Sequence, residues 1–91
     1  MTPRVRDNKA EQEFELIVDG ERALAAYQRE GDRIVFTHTV VPSAIEGRGV
    51  GSRLVRGALD QVRDAGLAVV AQCSFVAAYI DRHPEYRDLL A

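Results

Sequence analysis

Cysteine is almost absent from this chain: Cys73 is the only one, and there is no tryptophan. A single cysteine excludes a disulfide within the chain and fits a reducing compartment. The two histidines and Cys73 are widely spaced and match no zinc-binding pattern, so we expect no metal.

The chain also lacks long hydrophobic runs and an excess of charge of one sign. Its apolar runs are far shorter than a membrane span and its first residues form no hydrophobic signal region, which predicts a cytoplasmic protein without membrane contact. The formal net charge is −2 and no basic block occurs, so nucleic acid is not an expected partner. We expect a flexible N-terminus over residues 1–10 and a single domain over residues 11–91, present as a monomer or weak dimer.

What the sequence does contain is a succession of three strand patterns. Residues 13–18 and residues 22–29 alternate along the chain, and Asp19-Gly20 between them is a two-residue hairpin signal. Residues 34–41 are rich in β-branched and aromatic side chains. This third pattern ends at Pro42, which cannot donate a ladder hydrogen bond.

A glycine-rich loop follows and leads into a helix. Three glycines alternate over residues 47–51, and apolar side chains then recur at helical spacing over residues 50–62. Residues 67–71 form a short apolar strand, and a second helix begins near Phe75. The predicted order is β-β-β-α-β-α, an α+β (α/β) fold in which an antiparallel meander precedes a right-handed parallel βαβ crossover.

The glycine loop has the pattern of an anion-binding site. Glycines allow the backbone to approach a ligand closely, and the first turn of the following helix has unpaired N–H donors that suit phosphate. A Walker loop would need a lysine that Gly51-Ser52-Arg53 does not supply. A dinucleotide fold would need its glycine turn after the first strand. The context therefore excludes both of these phosphate sites.

Three motifs together resemble the acyl-CoA site of the GNAT acetyltransferases, and more closely the small, minimal YjdJ-type N-acetyltransferases. They are His-Thr-Val-Val-Pro at 38–42, Glu-Gly-Arg-Gly-Val-Gly at 46–51, and Cys-Ser-Phe-Val-Ala-Ala-Tyr-Ile at 73–80, which is followed by His-Pro-Glu-Tyr. The resemblance covers nearly all of residues 14–86. It implies an acetyl-CoA-dependent N-acetyltransferase that acts on a primary amine.

The resemblance also implies where the cofactor binds. Backbone amides of the loop would hold the CoA pyrophosphate, the pantetheine arm would pair with the preceding strand, and loop arginines would reach the phosphates. The implied residues are Val40, Val41, Gly47, Arg48, Gly49, Val50, Gly51, Ser52 and Arg53. Glu46 stands where GNAT proteins usually have Gln or Arg; because a carboxylate repels pyrophosphate, we expect its side chain to point away.

Three side chains are candidates for catalysis. Cys73 precedes a helix, whose N-terminus favours a thiolate able to accept the acetyl group; the alternative is a small buried hydrophobic residue. His38 could act as a general base, although strict alternation places it on the strand face of Phe36 and Val40, where a structural histidine is the alternative. Tyr79 lies near where larger GNAT enzymes place a tyrosine that protonates the leaving thiolate; the alternative is aromatic packing.

Other functions remain open at this stage. The chain lacks the helical pair that forms a wall of the acceptor site in larger GNAT enzymes, which favours a non-catalytic acyl-CoA-binding or protein-interaction module. A purely structural fold, in which the glycine loop is only a tight turn, is a third hypothesis. In the catalytic hypothesis the amine attacks the thioester directly, and an acetyl-Cys73 intermediate is the rival route.

Overall fold

The computed structural model describes residues 4–91, and its strands form one sheet whose order follows the chain. Neighbouring strands are antiparallel except for the last two, which are parallel. One α-helix connects the parallel pair, a second follows it, and two 3₁₀ helices complete the chain. The predicted meander and parallel crossover are therefore confirmed. The elements are β1 (Arg6–Asn8), β2 (Glu13–Val18), β3 (Glu21–Glu30), β4 (Arg33–Val40), the 3₁₀ helix Ser43–Ile45, α1 (Val50–Asp64), β5 (Ala68–Ala71), α2 (Ser74–Arg82) and the 3₁₀ helix Pro84–Leu89.

Strand β1 lies within residues 1–10, the segment for which the sequence predicted a flexible N-terminus. The carboxylate of Asp7 accepts a hydrogen bond of 2.7 Å from the hydroxyl of Tyr27 in β3. The side-chain amide of Gln61 in α1 donates to the carbonyl oxygen of Val5, also at 2.7 Å. The first three residues of the predicted segment lie outside the described residues.

One cluster of buried side chains fills the space between the helices and one face of the sheet. Both α-helices and the Pro84–Leu89 segment contribute to it, so all three pack on that face. Ala26 and Val35 are buried but do not belong to the cluster, because they project from the other face. Within residues 4–91, no helix is both long enough and apolar enough to cross a membrane. The largest fully buried members of the cluster are Phe36, Leu16, Ile45, Leu54, Leu59, Val50, Val55, Val62, Val69 and Val76.

The parallel pairing of β4 and β5 brings the two helix starts together. Helix α1 follows β4 and α2 follows β5, and parallel strands end at the same edge of a sheet. Both helix N-termini and the glycine loop therefore lie at one edge, which is where ligands bind in many sheets with parallel strands.

A bulge interrupts the antiparallel ladder between β3 and β4. Ala26 lies opposite His38, yet its neighbour Tyr27 lies opposite Phe36. Thr37 is therefore an extra residue on β4, and its hydroxyl donates to the carbonyl oxygen of Ala26 at 3.3 Å. An inserted residue of this kind reverses the alternation of side chains beyond it.

The reversal decides which side chains of β4 reach the helices. Thr39 faces the core side, whereas His38 and Val40 face the opposite side of the sheet and are exposed. This corrects the prediction that His38 shares a strand face with Phe36, which is fully buried in the core.

Candidate active site

Strands β4 and β5 stop pairing before β4 ends. Their last paired residues are Phe36 and Ala71, while β4 continues to Val40. The N–H of Cys73 still donates to the carbonyl oxygen of Phe36 at 2.9 Å, after which that chain enters α2. Beyond Phe36, the side of β4 that faced β5 pairs with no strand within residues 4–91. An extended ligand could therefore pair with the backbone there.

A groove of about 580 Å³ lies beside this end of β4. Its volume falls within the roughly 300–1,000 Å³ that is usual for small-molecule sites. We call it the loop groove, because the glycine loop and the start of α1 form much of its wall. Its lining residues are Thr39, Val40, Val41, Ile45, Glu46, Gly47, Gly49, Val50, Gly51, Ser52 and Phe75.

The start of α1 leaves backbone donors free. The N-cap of the helix is Gly49, which has no side chain to cap it, and no acidic residue occurs in the first turn. The N–H groups of residues 49–52 find no hydrogen-bond acceptor within the described chain, and the first helical N–H to find one is that of Arg53. Most helices fill this position with Ser, Thr, Asp or Asn. An uncapped helix start of this kind suits an anion.

Two glycines are required here by backbone conformation rather than by crowding. Gly47 and Gly49 have φ angles of 79° and 71°. A Cβ added at either position would meet nothing within 4 Å. The left-handed conformation nevertheless costs other residues about 1–2 kcal/mol. Glycine therefore allows the loop to present its N–H groups without this cost.

Most of the predicted cofactor residues line the loop groove, but the two arginines do not. The guanidinium of Arg48 forms an exposed ion pair with Asp19, in the turn between β2 and β3. The exposed Arg53 contributes its backbone N–H to the carbonyl oxygen of Gly49 at 3.1 Å. Glu46, which we expected to turn away, is exposed and lines the groove.

Cys73 lies beside the loop groove, behind Thr39. Its sulfur is 3.4 Å from the hydroxyl oxygen of Thr39. Thr39 lines the groove, whereas Cys73 is only 6% exposed and does not. The carbonyl oxygen of Cys73 accepts the N–H of Ala77 at 3.0 Å, so this residue caps the start of α2. Thr39 is therefore the groove residue that lies next to the sulfur.

The structure does not bring His38 to Cys73. His38 is exposed on the opposite face of β4 from Thr39, and its Nδ1 lies 3.3 Å from the hydroxyl oxygen of Thr37. A general base acting on Cys73 would need to be within hydrogen-bond reach of its sulfur. The three predicted catalytic side chains therefore do not form a triad.

Tyr79 lines a separate cavity of about 90 Å³, which we call the Arg82 cavity. The ring of Tyr79 stacks on that of His83, with centroids 4.0 Å apart and an angle of 16° between the planes. Burial raises the pKa of the Tyr79 hydroxyl. The lining residues of the cavity are Ser52, Phe75, Ala78, Tyr79 and Arg82.

The prediction also missed Phe75, which shapes both cavities. Its ring is 42% exposed, and its Cζ lies 2.7 Å from the position of a Cβ built on Gly51. Gly51 is therefore needed for a close approach between the two helix starts. The sequence indicated only that a helix begins near Phe75, and no local pattern signals that this side chain would be exposed beside a groove.

A comparison with known protein families matches most of the chain. The profile described as GCN5-related N-acetyl-transferase matches residues 13–89. The chain belongs to this family. Proteins named NATD1 from Mus musculus and Homo sapiens are both 33% identical to it over 84 residues, which is 89% of this chain and 76% and 74% of theirs.

A solved structure agrees with the fold of this GCN5-related N-acetyltransferase family member. The NMR solution structure of a GCN5-like protein from Staphylococcus aureus matches it with a TM-score of 0.72 and 24% sequence identity. The match covers 97% of this chain and 89% of that chain. Family membership supports acetyl transfer as the general chemistry of the protein, and acetyl-CoA is the donor that such enzymes generally use.

Among residues 4–91, no group of three or more His, Cys, Asp or Glu side chains is arranged to hold a metal ion.

Proposed function

We propose that this protein transfers the acetyl group of acetyl-CoA to a primary amine. The observation that carries the proposal is the uncapped start of α1. Four N–H groups, those of residues 49–52, are free at the wall of a groove large enough for a cofactor. They fit a pyrophosphate because helix N-termini bind phosphate groups, and no carboxylate in the first turn competes.

The rest of the groove fits the pantetheine arm. Its amide groups need backbone partners, and β4 beyond Phe36 offers them on the side that β5 has left. A bound arm would extend the sheet as an added strand. Val40, 46% exposed, and Val41 supply apolar contacts at the groove wall.

An acetyl-CoA bound in this way would bring its thioester to Thr39 and Cys73. In the route through Cys73, the sulfur attacks the carbonyl carbon, a new C–S bond forms as the bond to CoA breaks, and the thiol proton passes to the CoA sulfur. The amine nitrogen then attacks acetyl-Cys73, a C–N bond replaces the C–S bond, and the amine proton returns to Cys73. In the direct route the amine attacks acetyl-CoA itself and its proton goes to the CoA sulfur. The contact between Cys73 and a groove residue supports the first route.

A non-catalytic acyl-CoA-binding module is the second candidate function. The observation that favours it is the separation of the side chains: His38 lies on the other face of β4, and Tyr79 lines the Arg82 cavity. A binding module would hold acetyl-CoA in the groove without transferring its acetyl group to any amine.

The test combines an amine panel with intact-mass spectrometry. Wild type and Cys73→Ser are incubated with acetyl-CoA, release of CoA thiol is followed, and one acetyl group per chain is sought before amine is added. Turnover with an acetyl group on Cys73 that an amine removes supports the route through Cys73. Turnover that survives in Cys73→Ser, without an acetylated wild type, supports direct attack. Binding without turnover supports the module, and absence of binding contradicts the proposed function.

A further inference from the structure

The loop groove and the Arg82 cavity meet at two residues. Ser52 and Phe75 line both. Ser52 lies in the first turn of α1, where the pyrophosphate is proposed to bind, and the end of β4 lies at the other end of the groove. A ligand anchored at the helix start and extending away from β4 would therefore pass Ser52 and reach the Arg82 cavity.

Two arginines, Arg82 and Arg56, lie at or beside this cavity. Arg82 lines the cavity, and Arg56 follows Ser52 by one turn on the same side of α1. Neither forms an ion pair within the described residues. By contrast, six other arginines do so, and these are Arg6, Arg22, Arg33, Arg48, Arg63 and Arg87.

Two carboxylates lie near the cavity but do not line it. Burial raises the pKa of Tyr79, Arg56 opposes this rise, and the charges of Glu85 and Asp60 add to it. All three charged groups are therefore close to Tyr79. Asp60 accepts a hydrogen bond of 2.6 Å from the hydroxyl of Tyr86, and neither carboxylate lines the cavity.

We propose that Arg82 and Arg56 bind the 3′-phosphate of CoA at the mouth of the Arg82 cavity. The inference rests on the proposed function, because it requires CoA in the loop groove. The cavity of about 90 Å³ is small and has room for a group of the size of a phosphate. In CoA this phosphate is one ribose away from the pyrophosphate, so both can be bound at once. The assignment replaces Arg48, which is paired with Asp19, and Arg53, which lies one residue rather than one turn beyond Ser52 and so on a different side of α1.

The test compares CoA with 3′-dephospho-CoA by isothermal titration calorimetry at low salt. Wild type is expected to bind CoA about five- to tenfold more tightly, as for one or two charge-assisted contacts at an exposed site. Arg82→Gln should reduce this preference to less than about twofold while leaving the affinity for 3′-dephospho-CoA unchanged, and Arg56→Gln should reduce it in part. Arg33→Gln, which removes an equal charge at the far end of β4, should retain the wild-type preference.

The possible outcomes separate this inference from the proposed function. Equal binding of the two ligands by wild type would overturn the phosphate site and leave the CoA groove intact. If Arg53→Gln but not Arg82→Gln removed the preference for CoA over 3′-dephospho-CoA, the phosphate would bind at Arg53. That result would also overturn the inference. If neither ligand binds, the proposed function fails together with the inference. A preference that depends on Arg82 supports both.

Discussion

Replacing Gly51 with alanine tests the contact that joins the two helix starts. The new Cβ would lie 2.7 Å from Cζ of Phe75 and 3.3 Å from both Cε atoms. The ring would therefore have to move by about 0.7 Å to reach the lower limit of ordinary contact. Overpacking of this kind costs about 1–3 kcal/mol, and the low end applies because the ring is 42% exposed and can turn outward.

An opposite effect of similar size comes from the helix itself. Alanine stabilises a helix interior by about 1 kcal/mol relative to glycine. We therefore expect Gly51→Ala to leave the free energy of unfolding nearly unchanged in wild type. In a Phe75→Ala background the ring is absent, so the same substitution should stabilise the protein by about 1 kcal/mol. The coupling between the two sites should therefore be about 1 kcal/mol.

Urea denaturation of the four proteins measures this coupling directly. For a domain of this length, a difference of 1 kcal/mol also shifts the melting temperature by roughly 4–8 °C. If Gly51→Ala had the same effect in both backgrounds, within about 0.3–0.5 kcal/mol, the sites would be independent. That result would refute the close approach of Phe75 to Gly51 and, with it, the wall shared by the two cavities.

Three further predictions concern the groove and the sheet. Thr39→Val should slow alkylation of Cys73 by iodoacetamide about five- to tenfold, because the hydroxyl 3.4 Å from the sulfur can no longer donate to a thiolate; mass spectrometry follows the rate. Glu46→Gln should tighten acetyl-CoA binding about two- to fivefold in calorimetry at low salt, and less at high salt, because it removes a negative charge from the groove wall. A hydrogen bond from Arg22 lowers the pKa of Glu15 below its ordinary value of 4.5, so this carboxylate stabilises the fold above that pH and ceases to do so as the pH falls through its folded-state pKa. Glu15→Gln should accordingly lose less stability than wild type as the pH falls below about 4.5, measured by urea denaturation.

Each of these predictions has a control. Thr39→Ser keeps the hydroxyl and should alkylate at nearly the wild-type rate; slow alkylation of both variants would show that packing, not the hydroxyl, matters. Arg33→Gln changes the net charge by one unit in the opposite direction and is the control for nonspecific attraction of acetyl-CoA. A fall in affinity there equal to the rise in Glu46→Gln would contradict a local effect. Parallel pH profiles of wild type and Glu15→Gln would contradict the role of Glu15.

Local patterns in the sequence were sufficient to predict the order of the strands and helices from β2 onwards. The hairpin at Asp19-Gly20, the strand that ends at Pro42 and the glycine loop each depend on a few neighbouring residues. Parallel pairing then followed from the right-handed crossover. The residues that form the loop groove could therefore be predicted, because each element at the groove is recognisable from a few neighbouring residues.

The relation between the catalytic candidates could not be predicted in this way. The bulge at Thr37 reverses the alternation of β4 and separates His38 from Cys73, and no local residue type requires a bulge there. The ion pair between Arg48 and Asp19 could not be predicted either, because no local pattern indicates that the distant turn between β2 and β3 lies beside the glycine loop. Strand β1 was not predicted, because its three polar residues carry no strand pattern and form a strand only by pairing with β2.

The central claim is that acetyl-CoA binds at the uncapped start of α1, and amide NMR shifts test it most directly. Titration of the labelled protein with acetyl-CoA, and separately with desulfo-CoA, should move the amide signals of residues 47–52 first, and those of Val40 and Val41 with them. The signals of β1, at the far edge of the sheet, should stay in place. If no signal moves at millimolar acetyl-CoA, or if the shifts lie away from the loop, the glycine loop is a turn without a ligand and the account is wrong.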